Sequence, residues 1–326
     1  MSRTNANPKV KVVYGAFPIG RLPEEDAKEI FNVLKENGID EIDTARAYEG
    51  SEKVIGEAGW SSEFIVDTKA PRTVQDRETE EVLSASIEES LSLLKLPSVN
   101  IFYLHFPDPD TPFEEVLKGI NDLYKQGKFK KFGISNFSAT QVREVYDIAK
   151  KNGYVLPTVY QGNYNAFTRT SEEDLLPLLR ELGISFYAYS PVAGGFLTKT
   201  SEEILGNKSE RFNKDTPTGA FYHALYVSEP LLKGLDQFGE IAKKNNIDKF
   251  ELAFRWIFHN SRLDSSKGDG VVIGGRNADQ VKKTLVAIKK GPLHEEVVSE
   301  IDGIWNNIKG LVPTDAWEIL RKLLTK

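Results

Sequence analysis

The sequence predicts a single (β/α)8 barrel (a TIM barrel) as one domain over residues 1–326, with a long loop after the seventh strand and an extra C-terminal helix. Three observations carry that reading. Eight short β-rich runs alternate with amphipathic helical stretches, the pattern of parallel β/α units. No composition break or Pro/Gly/Ser-rich linker divides the chain. A length of 326 residues suits one barrel with insertions, since such barrels typically need about 250. The competing architecture, two doubly wound domains, would want a linker that is not there.

The first run is VKVVYGA (10–16). It is followed by EEDAKEIFNVLKENG, where Ile30, Val33 and Leu34 share a helical face and Gly38 supplies a C-terminal stop. EIDTA (41–45), FIVDTK (64–69), VNIFYLH (99–105) and FKKFGIS (129–135) read as the next four strands. SATQVREVYDIAKKNG then opens on a Ser138 cap. TVYQ (158–161) and SFYAYS (185–190) follow as strands six and seven. Residues 192–227 read as irregular and too long for an idle connection, which makes them a candidate lid. Helices over about 228–245 and 249–260 lead to VVI (271–273), and HEEVVSEIDGIWNNI adds a helix after the barrel should have closed.

Composition narrows the function. Hydrophobic residues make up 40% and charged residues 28% of the chain, and the net charge is −6, so there is no broad basic field for nucleic acid. The opening MSRTNANPKV has no apolar run of signal-peptide length. No window approaches the roughly 20 apolar residues of a membrane span, so the expectation is a cytoplasmic protein without a membrane partner. There is no cysteine, which removes disulfides, thiolate catalysis and cysteine-held zinc. The four histidines, at 105, 223, 259 and 294, show no H-x-H or H-E-x-x-H spacing, and no metal is expected.

Barrel active sites sit at the C-terminal ends of the strands. Strand two closes on Asp43 with Tyr48 just beyond, strand three on Lys69, strand four on His105, strand five on Ser135 and Asn136, and strand six on Gln161. Singly, Asp43 could cap a turn, Tyr48 could be a packed aromatic, Lys69 a solvated strand end and His105 a core histidine. Together they suggest more. Asp43 can hold Lys69 charged, Lys69 favours the Tyr48 phenolate, and His105 can donate to an oxygen between them. Free tyrosine titrates near pH 10, so drawing it toward neutrality asks for about 4 kcal/mol. The set is a proton donor suited to a developing alkoxide. The GGR of VVIGGRNADQ puts backbone N–H groups and Arg276 at a strand–helix junction, which serves either a phosphate or only a tight turn. The G-x-G-x-x-G fingerprint and the P-loop are both absent.

These stretches, with VNIFYLHFPDPDTPFEEVL, GKFKKFGISNFSATQVREV, LPTVYQGNYNAFTR and FYAYSPVAGGFLT, make the chain resemble the aldo-keto reductases, most of all their aflatoxin-aldehyde reductase branch. The resemblance implies a barrel that binds NADPH and reduces a small-molecule carbonyl substrate, as a monomer or homodimer. Its tetrad would fall on Asp43, Tyr48, Lys69 and His105. Ser135, Asn136 and Gln161 would hold the nicotinamide carboxamide, Tyr189 would stack on the ring, and Ser190, Pro191, Gly194 and Leu197 would lie along the pyrophosphate. Gly274, Gly275, Arg276 and Gln280 would meet the adenosine end, with Arg211 a second phosphate partner. The chain departs from the family pattern at Thr284, where relatives place asparagine near the adenine. It also carries Tyr222, His223 and Ala224 where mammalian relatives have arginines. With Phe17, Phe106, Phe221, Tyr222 and Tyr226 edging the pocket, the substrate expected is an aromatic or apolar carbonyl compound. Two other classes compete: a cofactor-binding regulatory subunit like the potassium-channel β subunits, and, less well matched, a metal-dependent hydrolase.

Overall fold

The computed structural model describes residues 10–71, 77–206, 210–313 and 316–324. Eight parallel strands close into a barrel in sequence order. They are β1 (Lys11–Gly15), β2 (Glu41–Asp43), β3 (Ile65–Lys69), β4 (Val99–Leu104), β5 (Phe129–Ser135), β6 (Pro157–Asn163), β7 (Ser185–Tyr189) and β8 (Gly270–Ile273). Closure is the β1–β8 pairing, with register Lys11 to Gly270 through Tyr14 to Ile273. All eight expected strands are present, with ends moved by at most two residues. The (β/α)8 architecture is therefore as the sequence predicts.

Between the strands run α1 (Glu24–Glu36), α2 (Ser51–Glu57), α3 (Glu80–Leu94), α4 (Phe113–Lys125), α5 (Ala139–Asn152) and α6 (Leu175–Leu182). Ile30, Val33 and Leu34 are buried on α1, and Gly38 ends the helix at φ +68°, where a side chain would be strained. Ser138 caps α5 through a full capping box with Gln141. Strand alternation sorts the apolar residues. Tyr14, Ile42, Phe102, Ile134 and Phe186 join the main core under the helices, while Val13, Ile101, Tyr103, Val159, Tyr187 and Val272 form a second cluster inside the barrel. That interior is unusually polar: Glu41, Asp43, Asp67 and Lys69 share it, each at most 1% exposed, where barrels ordinarily stack branched apolar side chains.

The segment after β7 corrects the expectation of an irregular loop. It holds a short 3-10 stretch at Ala193–Thr198, then α7 (Ser201–Leu205) and α8 (Pro217–Tyr226). Thr216 caps α8 and Pro217 occupies its first turn, a start signal that the cluster of Pro, Thr and Gly had disguised as a loop. Next come α9 (Glu229–Lys244) and α10 (Lys249–Arg255), which runs into a buried π-helical turn at Trp256–Asn260. After β8 lie α11 (Ala278–Lys289), the expected α12 (Glu295–Ile308), and a second terminal helix, α13 (Ala316–Leu324), that the sequence reading did not include. No described helix is long and apolar enough to cross a membrane.

Candidate active site

Asp43 is the last residue of β2 and Lys69 the last of β3, so parallel register sets them on adjacent strands at one rim. Lys69 Nζ donates to both Asp43 carboxylate oxygens at 2.6 Å and to the Thr44 carbonyl at 2.9 Å. Gln161 Nε2 donates to Asp43 Oδ1 at 2.8 Å, so the acid is held from two sides. Burial is the largest single influence on Lys69 and would depress it, but the charge and hydrogen bonds of Asp43, with smaller contributions from Tyr48 and Asp67, together outweigh burial and hold the ammonium above its ordinary range. Lys69 Nζ lies 5.0 Å from the Tyr48 ring centroid, and the His105 ring lies 6.1 Å from the same ring. The four tetrad residues are thus together at the C-terminal mouth.

Tyr48 is placed by its loop. Its N–H donates to Ala45 O, its carbonyl accepts from Ser51 N, and Arg46 N bonds Lys69 O. Beneath, Thr44 Oγ1 donates to Ser51 Oγ, which donates to Ala16 O, and Thr68 Oγ1 donates to the buried Glu52. Sequence reasoning missed Ser51 and Glu52, although a serine and a glutamate opening a helix directly after the Tyr48 loop were visible there.

Lys69 acts on Tyr48 in the expected direction, but burial is the larger influence. Burial raises the Tyr48 hydroxyl above its ordinary value, and Lys69 only partly opposes it, with Asp43 adding to the rise. Tyr48 is therefore a phenol at neutral pH, a loaded donor rather than a phenolate. His105 is lowered to about 3 by burial and by the Lys69 charge, so its imidazole is neutral.

Of the residues expected at the nicotinamide, Asn136 sits at φ +65°, a conformation sparsely used outside glycine. Its Nδ2 donates to His105 O and Ser135 Oγ, both at 3.0 Å, and its Oδ1 accepts from Tyr189 Oη at 2.8 Å. Asn136 thereby ties the ends of β4, β5 and β7 together. Among the described residues, Gln161 Oε1 and the Ser135 hydroxyl hydrogen remain without a protein partner, which is the acceptor and donor pair an amide requires. Ser190, at φ +55°, turns the chain out of β7 into a segment where Pro191 and Leu197 are buried.

Gly194, at φ +66°, lies under the Tyr222 ring so closely that a Cβ there would come within 2.2 Å of it. The Arg211 guanidinium, exposed, stands 5.2 Å from the Tyr222 ring centroid. At the other side of the mouth Gly274 is open, while Gly275 is packed against Val281 and its carbonyl accepts from Tyr14 Oη at 2.9 Å. Gln280 Oε1 accepts from Arg276 N at 2.9 Å, and the exposed Arg276 guanidinium makes no ion pair among the described residues. Thr284 is buried and bonds Gln280 O.

The expected pocket aromatics divide. Phe17 meets the Tyr48 ring edge-on at 5.2 Å, and Phe106 stacks on His105 at 4.9 Å, so these two flank the Tyr48–His105 pair. Phe221 and Tyr222 are half-buried on α8, with ring centroids 5.7 Å apart. Tyr226 does not edge the mouth. It is 1% exposed, stacks on Phe196, and bonds Asn163 through its hydroxyl, so it belongs to the core. A groove of about 1040 Å³ lies beside the mouth, reached by Asn136, Asn163 and Tyr189 and bounded by Leu225 and Arg321.

A family model described as the aldo/keto reductase family matches residues 11–306. The chain belongs to the aldo/keto reductase family. It is 38% identical over 296 residues to the oxidoreductase sirO of Leptosphaeria maculans, spanning 90% of each chain. It is 35% identical over 326 residues to human aldo-keto reductase family 7 member A3, covering 94% of this chain and 97% of that one. It is 34% identical over 314 residues to rat aflatoxin B1 aldehyde reductase member 2, covering 90% and 84%. Within the aldo/keto reductases the resemblance to the aflatoxin-aldehyde reductase branch therefore holds, and family membership supports carbonyl reduction as the reaction class.

Proposed function

We propose that the chain reduces aldehydes or ketones to alcohols with NADPH, and that Tyr48 donates the proton. The observation that carries the reading is the contact of Lys69 Nζ with both Asp43 oxygens at 2.6 Å, 5.0 Å from the Tyr48 ring. When bound, NADPH supplies the hydride. Neutral His105 can donate to a carbonyl oxygen and orient it toward the Tyr48 hydroxyl, which stays protonated at neutral pH. As charge builds on that oxygen, the Lys69 cation lowers the cost of the Tyr48 phenolate left behind.

Gln161 Oε1 and Ser135 Oγ suit the nicotinamide amide, Tyr189 offers a ring at the end of β7, and Arg211 and Arg276 suit phosphates. The two arginines favour NADPH over NADH, because a guanidinium can pair bidentately with the 2′-phosphate. Phe17 and Phe106, with Tyr222 in place of an arginine, favour an aromatic or apolar carbonyl compound. A panel of carbonyl compounds scored by NADPH oxidation tests the reading. Turnover that is fastest on apolar aldehydes and ketones is the expected result. Tight NADPH binding with no turnover on any of them would instead favour a regulatory, cofactor-sensing role.

A further inference from the structure

One layer below Asp43 and Lys69, on the same inward faces of β2 and β3, stand Glu41 and Asp67. Glu41 is 1% exposed and Asp67 fully buried. Lys11 reaches up from β1 to Glu41 Oε2 at 2.8 Å and also donates to Tyr187 Oη at 3.2 Å. Asp67 Oδ1 accepts from Asn100 Nδ2 at 2.7 Å and from Ile101 N at 3.1 Å. The other oxygen of each acid, Glu41 Oε1 and Asp67 Oδ2, is buried and without a partner, as is the Tyr103 hydroxyl. Two orphaned carboxylate oxygens are costly unless a proton lies between them, because a carboxylate only accepts.

The two acids stand on neighbouring strands, each with one orphaned oxygen in the same buried interior, and burial together with the Glu41 charge pushes Asp67 well above the ordinary carboxylate range. Charge counting agrees. Three acids, Glu41, Asp67 and Asp43, face two ammonium groups, Lys11 and Lys69, and one retained proton makes the column neutral. The groups facing the pair from the other strands, Tyr103 and Asn100 on β4 and Tyr187 on β7, are uncharged, the two phenols being pushed up by burial. Lys131 on β5 lines the solvent cavity of about 370 Å³ at the lower mouth, beside Lys11 and Tyr187.

We propose that Glu41 and Asp67 share one proton and act as positioning residues for the reaction above, holding the charge beneath Asp43 and Lys69 at the value that keeps Lys69 cationic. The role rests on the reductase reading, whereas the shared proton does not. Asp67 bears directly on Lys69, and Lys69 bears on Tyr48.

Two measurements test this. Infrared spectroscopy of the wild-type chain at neutral pH should show the carbonyl band of an un-ionised carboxylic acid that is lost in Asp67→Asn. The asparagine keeps the acceptor for Asn100 and Ile101, so the fold should survive, and a melting curve checks it. The second measurement is the basic limb of kcat against pH. The double variant Glu41→Gln/Asp67→Asn removes one negative charge and should move that limb about one pH unit lower, as expected for a unit charge acting over roughly 10 Å. Adding Lys11→Met should return it. Asp67→Asn alone preserves the charge and should leave the limb in place. A wild-type chain without the acid band, or a limb that moves equally in the single and double variants, overturns the proposal. Presence of the band with no turnover on any carbonyl compound would instead sink the reductase reading and the positioning role with it.

Discussion

Lys69 is fully buried, and three acceptors on Asp43 and Thr44 offset the cost of its charge. Removing the cation leaves Asp43 uncompensated and Tyr48 without the group that eases its ionisation. Lys69→Met should lower kcat by about 10²-fold or more, as should Tyr48→Phe, each in the range ascribed to a positioned acid or base. In the proposed mechanism both act on one proton, so the double variant should lose far less than the product of the two, and a kinetic double-mutant cycle reads this directly. His105 carries a second prediction. Its folded value, about 3, lies below the ordinary 6.5, so between those values the unfolded chain binds the proton and the native chain does not. Stability should therefore fall as pH drops through about 6.5 toward 3. His105→Gln cannot titrate, so its urea midpoint should change less between pH 7 and pH 5 than the wild type's. An equal change would place the acid sensitivity elsewhere.

At the scale of elements, α8 and the turn after β7 act as one unit. Tyr222 covers Gly194, stacks at 6.3 Å on the core residue Tyr226, and carries Arg211 on its ring. Gly194→Ala adds a Cβ at positive φ and 2.2 Å from Tyr222, so the ring has to leave. The expected result is weakened NADPH binding, by about tenfold or more if Arg211 loses its perch, with kcat at saturating NADPH less affected. Fluorescence titration of NADPH into the variant measures it, and unchanged affinity would detach α8 from cofactor binding. The same unit marks where sequence reading failed. The run PTGAFYHALY has little amphipathic contrast, since its buried side comes from Gly219, Leu225 and Tyr226 packed on other aromatics rather than from a regular apolar stripe. Aromatics there looked like pocket walls, but which way a ring points depends on the tertiary partner, and for Tyr226 that partner is Phe196.

Over the whole molecule, the barrel and its upper rim were legible because the C-terminal ends of parallel strands all open on one face, so Asp43, Lys69, His105 and Gln161, each at or within two residues of a strand end, could be placed there together. The lower interior was not legible. Glu41 and Asp67 are 26 residues apart in sequence, and only the pairing of β2 with β3 sets both in one buried interior, so each reads from the sequence as an ordinary polar residue in a strand. The expected cofactor contacts likewise span the molecule, from Ser135 on β5 to Arg276 beyond β8. A ligand touching so many strand ends should act on the stability of the entire fold. Binding to the native state alone adds about 2.7 kcal/mol at a hundredfold excess over Kd, so NADPH should raise the melting temperature by several degrees. NADH, lacking the 2′-phosphate, should raise it less at equal concentration. Arg276→Ala should shrink the NADPH shift toward the NADH value and leave the NADH shift nearly unchanged, because the exposed guanidinium has no ion pair among the described residues and its removal costs the fold little. Equal losses for both cofactors would assign Arg276 to the shared pyrophosphate. A fall in the melting temperature without cofactor would show that it serves the junction of β8 and α11 instead.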